Sequence, residues 1–354
     1  MNGMASALTH APAAGASSAR PRPQRGLALG LLVLLGVLAL VTFFSVTHGS
    51  RDISPGEAVR ALADFGPGGV NDTVTLEMRV PRTIVGLLAG AALGLSGAVL
   101  QGVTRNPLAD PGIMGVNAGA AAAVVAAIMF VGVGGISTYI WFAFAGAALA
   151  TVLVYAVGSL GRDGATPVKL ALAGAAVTAG LTSFTTAMVM TDDVTLNELR
   201  FWQVGSLSGR YEAVVSGVAP FIAVGCLLAL LCGRWLNALA LGEDTARSLG
   251  VRVGRTRLAL FGIVAVLCGA ATAACGPIVF VGLAVPHLAR LVCGPDYRWI
   301  LPYSMLLSPI VLLLADVVGR VLAGDGELQV GVVLGVLGAP FFVGLVRYGR
   351  LAEL

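Results

Sequence analysis

Long apolar runs alternate with short polar segments along almost the whole chain. Most runs hold about 20 residues, the length at which an α-helix crosses the hydrocarbon core of a bilayer. The pattern therefore predicts an all-α polytopic membrane protein with about ten transmembrane helices, the seventh and eighth of them nearly continuous. The predicted spans cover residues 27–47, 81–103, 113–132, 138–159, 167–190, 213–235, 257–275, 277–293, 300–319 and 328–347.

The composition excludes a water-soluble fold. Hydrophobic residues make up 57% of the 354 residues and charged residues only 11%, whereas soluble domains carry roughly 25% charged residues. Residues 1–26 are polar and rich in Ala, Pro and Ser, so we expect a disordered cytoplasmic tail there and one membrane domain over residues 27–354. The run that begins at Leu27 is longer than the roughly 7–15 apolar residues of a secretory signal, so we expect it to remain as the first span.

The distribution of basic residues predicts the orientation of the chain. Ten spans place both termini on one side, and fifteen of the 22 lysine and arginine residues then fall on that side. Basic residues are enriched in cytoplasmic loops, so we expect both termini in the cytoplasm. The net charge of +4 reflects this topology and gives no reason to expect a nucleic-acid partner.

The second span has a high density of small residues. It begins within Arg79-Val-Pro81-Arg82 and ends before Arg105-Asn106-Pro107. Small residues let neighbouring membrane helices approach closely, so we expect this span at the centre of the bundle. Its weakly polar surface also suits the wall of a pathway for a bulky solute. The residues that we expect to face such a solute are Ser96, Gln101 and Asn117.

The sequence lacks common motifs of catalysis and metal binding. The phosphate-binding loop of ATPases needs Gly-Lys-Ser/Thr, and the single lysine, Lys169, is followed by Leu170. No Gly-x-Ser-x-Gly motif is present, and the histidines and cysteines lack the spacing of metal ligands. His287, beside Pro286 in an apolar segment, is expected to be structural, with a ligand role as the alternative. We therefore expect a protein that is not an enzyme.

Charged residues are scarce within the predicted spans, with Asp316 near the outer end of the ninth and Arg290 near the inner end of the eighth. Ionisable residues deep in the membrane mark the pathways of proton- and ion-coupled carriers. Their scarcity disfavours a secondary carrier, which is the runner-up interpretation. A membrane enzyme that acts on lipid is a third alternative, and it would need a catalytic cluster.

The longest loop on the cytoplasmic side covers residues 236–256. Glu243 or Asp244 can begin a short helix, and Gly250 can end it as a C-cap. This segment is too short and too polar to span the membrane, so it is either a plain connection or a helix that docks on a cytoplasmic partner. Its candidate contact residues are Leu241, Gly242, Glu243, Asp244, Ala246, Arg247, Ser248, Leu249 and Gly250.

Six motifs in order resemble those of one family, the FecCD-type permeases of ABC importers for iron–siderophores, haem and cobalamin. Together they extend from the first span to the C-terminal region. They are Arg79-Val-Pro-Arg82, the Gly90-to-Gln101 run, Arg105-Asn-Pro-Leu-Ala-Asp-Pro111, the segment Leu241 to Gly250, Phe280-Val-Gly-Leu with Pro286-His287 and Arg290, and Glu327-Leu with Gly331 and Pro340.

The resemblance implies the type II permease fold of ABC importers, with inverted repeats formed by spans two to five and seven to ten. It implies a second permease subunit, identical or homologous, two cytoplasmic ATPase subunits and an extracytoplasmic solute-binding protein. ATP and Mg²⁺ would be used by the ATPase subunits, and no cofactor would be bound by this chain. The substrate class we expect is a ferric-siderophore, with haem or cobalamin as the alternative, in a bacterial cytoplasmic membrane.

The resemblance also implies roles for individual residues. The segment from Leu241 to Gly250 would be the coupling helix that seats in the ATPase. Arg60, Arg320 and, less directly, Arg51 would pair with acidic groups of the binding protein. The remaining motif residues would be structural: Arg79, Pro81, Arg82, Arg105, Asn106, Pro107, Pro286 and His287.

Overall fold

A computed structural model describes residues 24–49, 51, 53–64, 69–132, 136–160, 166–209, 212–323 and 326–348. The part of the chain that it describes is helical and contains no strand. Most of the predicted tail, residues 1–23, lies outside the described residues.

Within the residues that the structure describes, fifteen α-helices follow one another. Two π-helical segments, Val74–Arg79 and Ala127–Val131, and a 3₁₀ turn, Pro111–Met114, adjoin them. The helices are α1 (Gln24–Thr47), α2 (Pro55–Asp64), α3 (Val70–Thr73), α4 (Val80–Thr104), α5 (Val116–Ala126), α6 (Ile136–Gly158), α7 (Pro167–Val189), α8 (Asp193–Gln203), α9 (Glu212–Leu231), α10 (Gly233–Ala240), α11 (Glu243–Ser248), α12 (Val253–Cys275), α13 (Val281–Cys293), α14 (Tyr297–Leu322) and α15 (Val330–Tyr348).

Ten apolar helices correspond to the predicted spans. Seven are long and apolar enough to cross a membrane, and three shorter apolar helices begin at Val116, Val281 and Val330. Their ends form two faces. The α8 face carries α2, α8 and the C-terminal ends of α1 and α14, which Arg320 joins. The α11 face carries α10, α11 and the start of α14, which Asn237 and Asp296 join.

Helix α4 lies at the centre of the bundle, as its small residues predicted. A Cβ at Gly97 would lie 1.9 Å from the carbonyl oxygen of Gly282, and one at Gly90 would lie 2.5 Å from Cα of Pro309. Glycine at these positions therefore allows α13 and α14 to touch the backbone of α4. Close backbone contact of this kind replaces the hydrophobic driving force that is weak between helices in lipid.

The first helix of each inverted repeat packs on helices of the other repeat. Helix α4 packs on α13 and α14, and its counterpart α12 packs on α5 and α6. Helices α4 and α12 also pack on each other. The first repeat is thus α4 to α7, the second is α12 to α15, and each begins with a helix that packs on the middle of the other repeat.

Two non-helical segments enter the bundle from opposite faces. One precedes the 3₁₀ turn at Pro111, and the other covers residues 276–280, where Phe280 has a left-handed φ of 68°. The helical turns that follow these segments touch each other, since a Cβ at Gly282 in the first turn of α13 would lie 3.1 Å from Cδ of Pro111, the first residue of the 3₁₀ turn. The break between α12 and α13 begins at Gly276, where the predicted seventh and eighth spans meet, but it is longer than predicted, because α13 begins only at Val281. Gly276 has a φ of 74° and lies against the backbone of Trp202, so the chain turns inward before α13 begins.

The predicted sixth span, 213–235, is also too long. Helix α9 ends at Leu231, and α10 begins at Gly233 after Cys232, whose conformation breaks the ladder of hydrogen bonds. Glycine at position 233 fits against the backbone of Arg298 at the start of α14. Helix α10 therefore turns along the α11 face and leads directly into α11.

Candidate functional site

A cavity of about 670 Å³ lies between α5, α7 and α8 toward the α8 face. It extends from Asn117 and Thr178 in the interior to Met190 and Arg200 near the surface. Pro277, from the non-helical segment that precedes α13, also lines it. The cavity thus touches both repeats and the outer helix α8, which makes it the best candidate for a solute pathway.

Threonines form one wall of this cavity. Thr178, Thr182 and Thr186 recur every four residues on α7 and so lie on one face of the helix, and Thr185 adds a fourth hydroxyl. Helix α7 has a mean hydropathy of 1.4, whereas the other six long spans have values from 2.0 to 2.8. A polar stripe on the least apolar span indicates a wall that faces water rather than lipid.

Of the three predicted pathway residues, Asn117 lines the cavity. Its Oδ1 accepts a hydrogen bond of 3.1 Å from the hydroxyl of Thr272 on α12. Ser96 and Gln101 are wholly buried in α4. Ser96 donates to the carbonyl of Leu93, and Gln101 donates to the carbonyl of Leu283 on α13 at 3.1 Å. The prediction that the second span lines the pathway does not agree with this structure, because neighbouring helices enclose α4.

A second polar site lies at the α8 face, where Arg82 makes two charge-assisted contacts. Its guanidinium binds both carboxylate oxygens of Asp316 at 2.8–3.2 Å, and it binds Glu327 at 2.9 Å. The side chain of Asp316 is completely buried, and Arg320 pairs with it at 3.1 Å. Burying a carboxylate is costly unless it is paired with a positive charge. The guanidinium groups of Arg82 and Arg320 supply that pairing for Asp316.

Glu327 lies in the connection between α14 and α15, and its side chain is 38% exposed. Burial opposes its ionisation, but the positive charge of Arg82 and hydrogen bonds to Ser208 and Arg82 outweigh this effect and lower the pKa of Glu327. The carboxylate therefore stays charged near neutral pH and holds the connection against the start of α4.

Arg79 and Arg320 hold the C-terminal end of α1. Arg79 donates to the carbonyls of Val46 and Thr47, at 3.2 and 2.7 Å. Arg320 donates to the carbonyls of Ser45 and His48, at 3.0 and 2.9 Å. The last carbonyls of a helix lack partners within the helix and carry its negative dipole end. Two guanidinium groups thus tie α1 to α4 and α14.

The predicted docking residues fall into two environments. Arg51 and Arg60 are exposed at the α8 face, and Arg51 donates to Asn71. Arg320 is only 3% exposed and has the internal partners described above. It borders a pocket of about 80 Å³ that Arg51, Arg79 and Arg82 also line. An acidic partner at this face would therefore meet Arg51 first and Arg320 only through the pocket.

The loop 236–256 contains the short helix that the sequence predicted. Helix α11 covers Glu243–Ser248, and Gly250 follows with a φ of 82°. Leu241 and Leu249 flank it and are 65% and 62% exposed, while Ala246 is buried. Gly242, with a φ of 102°, turns the chain into the helix, and Ser248 donates to the carbonyl of Thr245.

Ion pairs join α11 to the rest of the α11 face. Arg247 pairs with Glu243 at 3.0 Å and with Asp244 at 3.2 Å. Glu243 also pairs at 2.7 Å with Arg257, whose side chain is 10% exposed at the start of α12. The far end of α12 carries Thr272 and Cys275, which contact Asn117 and the backbone of Ser206. Helix α12 thus connects α11 with the cavity wall.

The remaining motif residues lie at helix ends and breaks. Arg105 ends α4 in a left-handed conformation with a φ of 49°, and Asn106 accepts a hydrogen bond from the backbone of Leu108. These two side chains are exposed on the α11 face, and Pro107 is half-buried. Pro81 lies in the first turn of α4, where a proline is tolerated because its nitrogen needs no partner.

Pro286 and His287 lie within α13, which continues through the proline. Pro286 is buried and His287 is half-buried. No group of three or more His, Cys, Asp or Glu side chains in the described ranges is close enough to hold a metal ion.

Sequence reasoning missed the threonine wall of α7 and the ion pairs that Arg82 makes with distant carboxylates. Thr182 and Thr186 were treated as part of a plain apolar span, although their four-residue spacing was visible in the sequence. The contacts of Arg82 with Asp316 and Glu327 join residues more than 230 positions apart, and no local pattern in the sequence predicts these pairs.

Comparison with known proteins agrees with this arrangement. The FecCD transport family matches residues 37–348. The ferric enterobactin transport system permease protein FepD of Escherichia coli is 43% identical over 318 residues, which cover 90% of this chain and 94% of that protein. The cobalamin import system permease protein BtuC of Halobacterium salinarum is 38% identical over 335 residues, covering 92% and 89% of the two chains.

A solved structure has the same fold. It shows an inward-facing conformation of a metal-chelate type ABC transporter and superposes with a TM-score of 0.77 at 28% identity, covering 90% of this chain and 99% of that one. The family match, the relatives and the shared architecture lead to one conclusion: this chain is a multi-pass membrane protein that belongs to the FecCD transport family.

Proposed function

We propose that this chain is the transmembrane permease subunit of an ATP-binding-cassette importer that moves a ferric-siderophore, or a related metal chelate, across the cytoplasmic membrane. The observation that carries the proposal is the link between the two faces. Helix α12 begins at the ion pair with α11, and it ends at the contact between Thr272 and Asn117 in the cavity wall. A subunit that converts motion at one face into opening at the other needs such a connection.

The assembly we propose contains four further parts. A second permease subunit, identical or homologous, completes the pathway along the axis between the two copies. Two ATPase subunits bind below, and they bind and hydrolyse ATP with Mg²⁺. A solute-binding protein delivers the chelate from outside. Membership of an ABC permease family and the exposed α11 helix support this assembly.

In this assembly the α11 face lies in the cytoplasm, together with both termini. The excess of basic residues on that side supports the assignment. Leu241, Leu249 and Arg247 are then exposed to the ATPase subunits, and α11 is the coupling helix. Exposed leucines beside a charged group are suited to a groove that is apolar at its centre and polar at its rim.

The binding protein docks on the α8 face in this proposal. Arg60 and Arg51 offer exposed positive charges there, and Arg320 adds its charge through the pocket that it shares with Arg51. Exposed ion pairs contribute little stability individually. Their effect is to orient the binding protein and to raise its association rate, which suits a partner that must dock and leave in every cycle.

The transport cycle then has three steps. The chelate enters the cavity from the docked binding protein while the cavity is open to the outside. ATP binding closes the ATPase pair, α11 moves with it, and α12 carries the motion to Asn117 and the segment around Pro277. The chelate passes inward, and hydrolysis resets the assembly. The side chains of this chain bind and guide the solute and make no covalent bond to it.

Uptake by the reconstituted transporter tests the proposal. Vesicles that contain the complete assembly should take up radiolabelled ferric-siderophore only when ATP and Mg²⁺ are present on the α11 side. Uptake driven by a pH gradient without ATP would show an ion-coupled carrier instead. ATP-driven uptake of radiolabelled haem or cobalamin, at concentrations at which ferric-siderophore is not taken up, would assign the chain to those substrates.

A further inference from the structure

The threonine wall of α7 is exposed where a lipid-facing helix would be apolar. Thr182 and Thr186 are exposed, and Thr178 is half-buried. Only 28% of the apolar window of α7 is buried within the protein, yet this span is the least hydrophobic of the seven. A hydroxyl in the hydrocarbon core has no water to bond with, so a stripe of exposed threonines favours an aqueous space beside this face of α7.

The cavity is rich in groups that can donate hydrogen bonds. Thr178, Thr182 and Thr186 line it, with the amide of Gln203 and the guanidinium of Arg200 near its outer end. The hydroxyl of Thr185 donates to the carbonyl of Leu181 within α7. The bond from Thr272 occupies the oxygen of the Asn117 amide and leaves its N–H groups as donors. Among the described residues that line the cavity, Arg200 is the one charged side chain.

A single sign of charge at the rim of a low-dielectric cavity attracts ions of the opposite sign. Two copies of the chain would place two such guanidinium groups around a shared pathway. Threonine hydroxyls form neutral hydrogen bonds, and each of these adds only about 0.5–1.5 kcal/mol over the bond to water that it replaces. Such a wall can guide an oxygen-rich solute without trapping it.

We propose that this cavity selects an anionic chelate that presents many oxygen acceptors, with Arg200 setting the preference for negative charge and the α7 threonines forming the wall along which the chelate moves. This inference rests on the proposed transport function and narrows its substrate class. It distinguishes a ferric complex of catecholate or carboxylate groups, which carries negative charge, from a neutral or cationic complex.

Thiol labelling in the assembled transporter tests both parts of the proposal without a transported substrate. Thr182→Cys places a thiol on the wall, and Phe184→Cys, two residues away and 47% exposed, places one on the opposite side of the same helix. The probes are two methanethiosulfonate reagents, the anionic sulfonatoethyl and the cationic trimethylammonioethyl compound. Each labelling rate is divided by the rate at which the same reagent reacts with a free thiol in solution. The parent chain gives the background from its five cysteines, of which four are buried.

The thiol at position 182 should react at least about tenfold faster than the thiol at position 184, since charged reagents reach thiols only through water. The ratio of anionic to cationic labelling at position 182 should exceed one. It should fall about threefold or more in Arg200→Gln, the size expected of one screened charge within a Debye length. Arg200→Lys should keep most of the ratio, because it retains the charge.

Three results would overturn the inference. Equal and slow labelling at positions 182 and 184 would show that the threonine wall is not aqueous. Fast labelling at position 182 without an anionic preference would remove the charge selection. An anionic preference that Arg200→Gln leaves unchanged would remove the role of Arg200. The proposed ATP-driven uptake is measured separately and can succeed or fail in each of these cases.

Discussion

Arg82 is the residue through which the α8 face is held together. It binds Asp316 on α14 and Glu327 beside α15, and Arg320 shares the same buried carboxylate. Removing one partner of a buried pair leaves the other charge without compensation, which costs about 3–5 kcal/mol. The arginine pair Arg79 and Arg82, which the sequence identifies only as a motif, is therefore a structural anchor in this fold.

Replacing Asp316 with asparagine tests this anchor. The variant leaves Arg82 and Arg320 buried without their shared carboxylate, and we expect the free energy of unfolding to fall by about 3–5 kcal/mol. Glu327→Gln is the matched control, because the side chain of Glu327 is 38% exposed and its loss should cost much less. Denaturant unfolding of the purified protein in detergent gives both values. Equal losses for the two variants would contradict the account.

The lowered pKa of Glu327 predicts a pH dependence with a defined sign. The carboxylate is more acidic in the folded protein than its ordinary value of 4.5, so its contribution is complete above that value. It is lost as the pH falls below 4.5 and through the lower folded pKa. The difference in melting temperature between the parent chain and Glu327→Gln should be constant from pH 7 to about 5 and should shrink below about 4.5. A difference that grows on acidification would contradict the assignment.

For helix α4 the sequence predicted the position in the bundle correctly but not the role in the pathway. Its density of small residues placed it correctly at the bundle centre. The same residues were expected to line a pathway, but Ser96 and Gln101 face neighbouring helices. Small residues favour close helix packing and weakly polar surfaces alike, so composition could not separate the two roles. The polar stripe of α7 is the feature that distinguishes a cavity wall.

Close packing at Gly97 can be tested by adding one methyl group. A Cβ there would lie 1.9 Å from the backbone of α13, so Gly97→Ala must displace a helix and should cost about 1–3 kcal/mol of stability. Gly262→Ala on α12 is the control, because a Cβ at that position meets nothing within 4 Å. Unfolding in detergent should show a loss only at position 97. A neutral Gly97→Ala would show that α4 and α13 are not held at this distance.

Helix α11 carries the prediction about coupling. Arg247→Glu combined with Leu249→Asp changes the charge and the shape of the exposed segment, so we expect loss of substrate-stimulated ATP hydrolysis while membrane insertion continues. Arg255→Glu is the control, because Arg255 is exposed but lies outside the segment from Leu241 to Gly250. ATPase assays on the assembled transporter and a membrane-fraction blot measure the two properties. Normal stimulation in the double variant would contradict the coupling role of α11.

At the scale of the whole molecule, the sequence predicted the number of apolar helices and the short helix between α10 and α12. It placed the break between α12 and α13 at the right residue, but it missed the length of that break and the partners of the buried charges, both of which depend on long-range contacts. The break before α13 exists because Gly276 packs on Trp202 and Pro277 enters the cavity wall. The ion pairs of Arg82 join α4 of the first repeat to α14 and to the connection before α15 in the second. Local patterns determine which segments are helices, whereas the positions of breaks inside the membrane depend on what the other repeat presents.

The central claim is that α11 at one face controls the cavity at the other through α12. The most direct measurement is the labelling rate of Thr182→Cys by the anionic reagent from the α8 face, before and after the ATPase subunits are trapped by vanadate, which holds ADP in the site once ATP is hydrolysed. We predict that trapping changes this rate at least about fivefold, roughly 1 kcal/mol in accessibility, and that Arg247→Glu with Leu249→Asp abolishes the change. An identical rate in both nucleotide states would contradict the account.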